Sequence, residues 1–541
     1  MSSSADHLGW LGGILDKSLM HINSQCTVDG KFMVSSLDDY QQAVFDLAVS
    51  TAELKCAEQY LEYSSAHTDF ERNLADTFTA EVIANISSRL GRSPLDFGLT
   101  AVELAGDEAC DLFCRNHLSN KHLAELGRQI VDREGSLGDR GLDEEKAMMA
   151  QTFHQFSVDV VAPLAEDIHR KDLIIPDDIL NGLRELGCFG LSVPQRFGGL
   201  LPDDHEDSLG MIVVTEELSR ASLGGAGSLI TRPEIMARAL LEGGTSEQKD
   251  QWLPRLASGE LLCAIAITEP DYGSDVASMR LKATATDEGW ILNGAKTWST
   301  FAGKAGVLLT LARTDPDLSL GHKGLSLFMV EKPSTDDDKF EFVQESGGRL
   351  TGNAIPTIGY RGMHSFELFF DDFFIPASHV IGEGQGVGRG FYFTMRGFMG
   401  GRIQTAARAC GVMQAAFETA IGYATDRKVF AKPVADYQLS LIKFARMGIY
   451  LGASRQFTYM VGKLMDAGHG QTEASLVKLF ACKASEWITR EGMQIHGGMG
   501  YAEETSASRY WLDARVLSIF EGTEETLALK VVGRSLVEGA I

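Results

Sequence analysis

Apolar residues recur at three- and four-residue spacing through most of the first 140 positions. DDYQQAVFDLAVSTAELKCAEQYLEYSS and the stretches around 74–90 and 100–131 carry the one-sided stripe of amphipathic helices. SRLGRSPLDFG breaks the run, because Gly91, Ser93 and Pro94 stop a helix. Helical spacing resumes at 143 with EEKAMMAQTFHQFSVDVVAPLAEDIHR. IPDDILNGLRELGCFGL is expected to be capped at Asp177 or Asp178, and another helix to start at Thr245-Ser246-Glu247.

The period changes at Leu261. LLCAIAI is a short apolar run between turn residues. LKATATDEGWILNGAKTW reads as a hairpin turning at Asp287-Glu288-Gly289, and GVLLTLART, GLSLFMVEK, FEFVQE and SFELFFDDFFIP follow as strands. From about 390 the spacing is helical again. The expected fold is mostly α with a central antiparallel, barrel-like β-domain: a helical extension (1–142), a helical domain (143–262), the β-domain (263–385) and a C-terminal helical bundle (386–541). Strands and helices do not alternate, so a doubly wound parallel sheet is disfavoured. GEGQGVGRGF (382–391) does not match GxGxxG and follows no suitable strand, which argues against a Rossmann site.

An internal repeat is visible. Asp39-Tyr40-Gln41 opens a helix in the front block and Asp436-Tyr437-Gln438 opens one in the last. Val44, Phe45 and Ala48 match Leu441, Ile442 and Ala445, and Leu74 and Phe78 have the spacing of Leu476 and Phe480. Helical patterns resemble one another, so duplication and coincidence both stand at this point.

Composition narrows the function. The 541 residues are 44% hydrophobic and 23% charged, ordinary for a globular chain, and the net charge of −25 disfavours a cationic nucleic-acid surface. No apolar run is long enough to span a bilayer. Asp6 and Asp16 interrupt the N-terminal stretch, which lacks a basic start, so a cytoplasmic protein is expected. The eight cysteines are scattered. Cys110, Cys114 and His117 would share a helical face with His122 close by, but no strong zinc spacing is matched; buried thiols are expected there, and no metal.

Candidate chemistry sits in Thr268-Glu269-Pro270-Asp271-Tyr272-Gly273-Ser274-Asp275, Asn293-Gly294-Ala295-Lys296-Thr297-Trp298-Ser299-Thr300, Arg427-Lys428-Val429-Phe430, Gln494-Ile495-His496-Gly497-Gly498 and Phe520-Glu521-Gly522-Thr523. Each alone is an ordinary turn, strand or helix end. In this order and at these separations they resemble the acyl-CoA dehydrogenase family, over about residues 143–541.

The resemblance implies a helical domain, a β-domain and a four-helix C-terminal domain, with FAD bound between the last two. It implies flavin and substrate-entrance contacts at Ile265, Ile267, Thr268, Gly273 and Ser274, with Ser274 also touching substrate. Trp298 and Thr300 would lie against the isoalloxazine, and Thr523 would join the flavin contacts. Arg427 and Phe430 would reach the FAD of a neighbouring subunit, with Gln494, Gly497 and Gly498 completing that site. Ile265 stands where many members have an aromatic residue. Glu521 would be the base that removes the α-proton, its backbone N–H helping to bind the thioester oxygen. Members that carry the glutamate on an earlier helix have it near position 401, where this chain reads Gly400-Gly401-Arg402.

By the same resemblance Thr231 and Arg232 would face the end of the acyl chain, with Arg396 and Arg402 nearby. An arginine there suits a distal carboxylate; the residues alone equally allow Arg232 to face solvent or to bind Glu234. The long N-terminal extension is similar to that of members acting on (2S)-methylsuccinyl-CoA to give mesaconyl-CoA, in the ethylmalonyl-CoA pathway. An electron-transfer flavoprotein would accept the electrons, and a homodimer is expected. A dehydrogenase for a short or branched monocarboxylic acyl-CoA and an acyl-CoA oxidase are the alternatives.

Overall fold

The computed structural model describes residues 3–540. Two units emerge: one formed by the chain up to Met148 together with Thr405 onward, the other by Met149–Gln404. The extension thus groups with most of the expected C-terminal segment, and the helices after 149 group with the β-domain and with residues 386–404.

In the 149–404 unit, the helices Asp177–Glu185 and Ser208–Ala221 close on a core that includes Ile179, Leu183, Met211, Val214 and Leu218. Asp177 and Asp178 fall in the first turn rather than at the cap, which is Pro176; there they complement the positive helix end. Thr245 caps Ser246–Ala257 in a reciprocal box with Gln248.

The sheet of this unit has eight strands: β1 (Cys263–Ala266), β2 (Lys282–Ala285), β3 (Gly289–Thr300), β4 (Val307–Arg313), β5 (Leu325–Glu331), β6 (Lys339–Val343), β7 (Arg349–Ile355) and β8 (Ser365–Pro376). The order is β1-β4-β2-β3-β8-β7-β6, with β5 paired to β4. The hairpin turn falls where expected, Thr286 N–H donating to Gly289 O at 2.8 Å. The sheet is not wholly antiparallel: β1 runs parallel to β4, from Cys263 opposite Val307 to Ala266 opposite Thr310, and β2 touches β4 in parallel at Lys282 and Arg313. β1 ends the sheet, yet it is apolar and almost wholly buried, as suits a parallel strand covered on its faces.

In the other unit the helical extension repeats the C-terminal helices element by element. A two-residue ladder (Thr27–Val28 with Lys31–Phe32), a 3-10 turn (Val34–Tyr40) and the helices Gln41–Ser65 and Asp69–Leu90 follow one another. So do Lys428–Val429 with Lys432–Pro433, Val434–Asp436, Gln438–Asp466 and Gln471–His496. Both small hairpins turn on left-handed residues, Asp29 and Gly30 at φ 50° and 73°, Phe430 and Ala431 at 49° and 63°. This concordance favours duplication over coincidence. The helix Asn120–Asp132 crosses Gln438–Asp466 backbone to backbone at Gly127, where a Cβ would come within 2.0 Å of Leu441 O. Cys110 is buried, Cys114 is half-buried and His122 Nε2 is 2.9 Å from Thr77 Oγ1.

Candidate active site

Near the end of β3 a bulge interrupts the pairing with β8 between Phe366 and Leu368, and Trp298 there adopts φ 56°. Its indole is 56% exposed while Thr297 and Ser299 on either side are buried. A bulge re-aims a side chain; here it turns a large flat ring out of an otherwise covered strand. Ser299 Oγ is buried with no hydrogen-bond partner among the described residues. Thr300 Oγ1 lies 2.9 Å from Ser365 Oγ, and Phe301 bonds to His364 O through its amide at 2.8 Å with φ 71°.

The loop after β1 is tied to the same strand. Thr297 N–H donates to Thr268 O at 2.9 Å. Below it Lys296, fully buried, donates to Glu269 Oε1 at 2.9 Å and to Ile267 O at 2.8 Å. Glu269 also accepts from the amides of Arg280 and Leu281, each at 2.7 Å. Burial pushes the Lys296 ammonium down to about 8, against the upward pull of Glu269. This satisfied ionic knot fixes the 268–274 loop, whose Gly273 and Ser274 are exposed; a Cβ on Gly273 would meet nothing within 4 Å. Ile265 is partly buried against the same core in which the Ile267 side chain is buried.

In the unit containing the chain's C-terminal part, Glu521 stands in a turn at φ 55°, followed by Gly522 at 98°. Lys478, 1% exposed, donates to Phe520 O at 2.7 Å and to Gly522 O, gripping the turn from both sides. Glu521 Oε1 accepts from Arg408 Nη2 at 3.1 Å, its Oε2 is buried without a donor among the described residues, and its amide donates to no acceptor there. Thr523 Oγ1 accepts from Thr526 N–H at 3.3 Å, capping the next helical turn.

Tyr423 and His496 stack at 4.5 Å, which brings the chain at Arg427 beside the helix end at Gln494. Arg427, Gln494, Gly497 and Gly498 are exposed and Phe430 is 97% exposed; a Cβ on either glycine would meet open space.

Arg232 lies in the first turn of Thr231–Gly243 and is 8% exposed. Its Nη1 donates to Ser228 O at 2.5 Å and its Nη2 to Tyr360 Oη at 3.0 Å, and among the described residues no carboxylate pairs with it. Neither the solvent-facing nor the Glu234-bound arrangement is found: Glu234 instead binds Arg238 Nε at 2.8 Å and accepts from Gln404, which in turn accepts from Thr231 Oγ1 at 2.6 Å. Gly400 makes room for this acid, since a Cβ there would come within 2.3 Å of Glu234 Oε1. Arg402 is partly buried. Arg396 does not join Arg232; it is half-exposed, with Glu242 at 3.9 Å.

Arg408, Lys478 and Tyr360 were not singled out from sequence as site residues, and Lys296 and Glu269 lay inside the quoted motifs without a role of their own. A signal existed for Arg408 and Lys478: each is a cation inside an apolar helical run, TAARACGV and SLVKLFAC, on a face that must be buried.

Family models match the chain in sequence order: acyl-CoA dehydrogenase N-terminal domain at residues 143–260, middle domain at 264–373 and C-terminal domain at 388–537. The (2S)-methylsuccinyl-CoA dehydrogenase of Cereibacter sphaeroides is 35% identical over 99% of this chain and 98% of its own length. Butyryl-CoA dehydrogenase of Megasphaera elsdenii superimposes with a TM-score of 0.67 at 30% identity, over 74% of this chain and all of that one. A glutaryl-CoA dehydrogenase of Mycobacterium smegmatis, solved in complex with FADH2, gives 0.64 at 27% identity, over 76% of this chain and 97% of its own. The match to the first relative alone among these runs through the N-terminal extension. This chain belongs to the acyl-CoA dehydrogenase family and is an oxidoreductase acting on an acyl-CoA thioester.

Proposed function

We propose that the chain oxidises (2S)-methylsuccinyl-CoA to mesaconyl-CoA, using FAD and the carboxylate of Glu521. The observation that carries the choice of substrate is Arg232: a buried guanidinium at the positive end of a helix, facing neutral partners and, among the described residues, no carboxylate. Such a charge is costly without an anion, and a dicarboxylic thioester supplies one at its far end, where a guanidinium pairs with it through two hydrogen bonds. The full-length match to a relative of that activity supports the same choice.

FAD fits the residues present. The exposed Trp298 indole offers a stacking face for a flat ring, and the unpartnered Ser299 hydroxyl lies in the adjoining strand position. Exposed Phe430 and the open backbone at Gly497 and Gly498 suit a dinucleotide approaching closely. When bound, the cofactor accepts the β-hydride.

The protein's own part is proton chemistry and positioning. The left-handed turn leaves the Glu521 amide without an acceptor among the described residues, so it is available to the thioester oxygen as negative charge develops there. The carboxylate on the same residue takes the α-proton, Lys478 holding the turn's carbonyls. An electron-transfer flavoprotein is the expected electron acceptor, and the protein is expected to be a homodimer. Incubation with racemic methylsuccinyl-CoA and an artificial acceptor tests the substrate: mesaconyl-CoA formed from one enantiomer supports it, and no product while butyryl-CoA turns over rejects it.

A further inference from the structure

The Glu521 carboxylate is held asymmetrically. Oε1 accepts from Arg408 Nη2 at 3.1 Å, and the Arg408 side chain is wholly buried. Oε2 is buried too but meets no donor among the described residues. Nη2 of Arg408 also donates to Thr405 Oγ1 at 2.7 Å, and the guanidinium sits over the Phe520 ring, 4.8 Å from its centroid. The cation is therefore fixed by its own helix and by the residue just before Glu521, so its place does not depend on the carboxylate alone.

An oxygen that accepts a charge-assisted hydrogen bond has a lone pair engaged and its charge stabilised. An oxygen closed to water and left without a donor keeps its basicity. A glutamate side chain free to rotate would present either atom and would spread the reacting geometry, and a misplacement of about 1 Å costs on the order of 10²-fold in rate.

We propose that Arg408 is the positioning residue of the base: it pins Oε1 and leaves Oε2 as the oxygen that takes the α-proton. The proposal rests on the assignment of Glu521 as base. In the step the Cα–H bond breaks and an O–H bond forms at Oε2. The C–H electron pair stays with the acyl thioester and, in turnover, becomes the Cα=Cβ bond as the β-hydrogen leaves with its own pair to the flavin. The guanidinium fixes the orientation of the carboxylate.

The test separates proton transfer from oxidation. Holoenzyme in D2O is given 3-carboxy-3-methylbutanoyl-CoA or 3,3-dimethylbutanoyl-CoA, whichever saturates it; both have α-hydrogens and no β-hydrogen. Deuterium uptake is followed by mass spectrometry. Arg408→Met is expected to slow exchange by about 10- to 100-fold at an unchanged half-saturating concentration. Glu521→Gln is expected to lose at least about 10³-fold, and the double variant to be no slower than Glu521→Gln alone. If the methionine variant fails to fold, Arg408→Lys decides by the same criterion: slower exchange at unchanged half-saturation supports the proposal. Wild-type exchange in the Arg408 variant, or a further loss in the double variant, overturns it while leaving Glu521 as base. Near-normal exchange in Glu521→Gln overturns both.

Discussion

Phe78 and Phe480, which occupy matching positions in the two halves of the sequence repeat, meet edge to face with ring centroids 5.7 Å apart. Contact between equivalent residues is the mark of a two-fold relation, here within one chain. The copy has Cys26 and Asp29 where the C-terminal hairpin has Arg427 and Phe430, so it keeps the helical scaffold and lacks the exposed arginine and phenylalanine proposed to meet the cofactor. We propose that the extension covers helical surface that a second copy of the C-terminal helices would otherwise meet. Light scattering is expected to give a particle of about twice the 58.8 kDa chain mass; a tetramer would reject this account of the extension.

Glu521→Gln is expected to retain bound flavin and to reduce it at least about 10³-fold more slowly than wild type, because the amide side chain keeps the shape of the turn and takes no proton. Stopped-flow reduction checks this, and a near-normal rate would remove Glu521 as base.

Arg232→Met is expected to lower kcat/KM for methylsuccinyl-CoA by at least about 10²-fold, since the substrate carboxylate is then buried unpaired. Its effect on butyryl-CoA should stay within about 3-fold, since that chain has no distal charge. Equal losses on both would argue against a carboxylate contact.

Lys332 offers a prediction about pH. It donates to Gly303 O and Pro333 O, each at 2.8 Å, and burial pushes its ammonium down to about 7. Unfolded lysine titrates near ~10.4. Below pH 7 both states hold the proton, and between these values the unfolded chain binds the proton that the folded chain releases. Stability therefore carries the full penalty below 7 and regains it as pH rises toward ~10.4. Thermal midpoints of Lys332→Met are expected to rise less between pH 7 and 9.5 than those of wild type; parallel curves would show that Lys332 keeps its charge in the fold.

Much of this was legible in the sequence because it is local. The hairpin turn at 287–289, the helix start at Thr245 and the turn at Glu521 are each set by a few neighbouring residues. The repeat was legible because Leu74 and Phe78 keep the spacing of Leu476 and Phe480. Partners far apart in the chain were not. Nothing in the apolar run at 262–266 says that β1 pairs in parallel with a strand forty residues on. Arg408 reads as a misplaced charge until Glu521, 113 residues away, is seen to accept from it. Arg396 and Arg232 look alike as candidates; only the packing makes one half-exposed and the other buried.

The most direct test is anaerobic reduction of the bound flavin by methylsuccinyl-CoA, succinyl-CoA, glutaryl-CoA, butyryl-CoA and isobutyryl-CoA in turn. Rapid bleaching by methylsuccinyl-CoA and slow or no bleaching by the others is the predicted result. Rapid bleaching by a monocarboxylic thioester, with methylsuccinyl-CoA inert, would contradict it and would leave the buried Arg232 without its proposed anion.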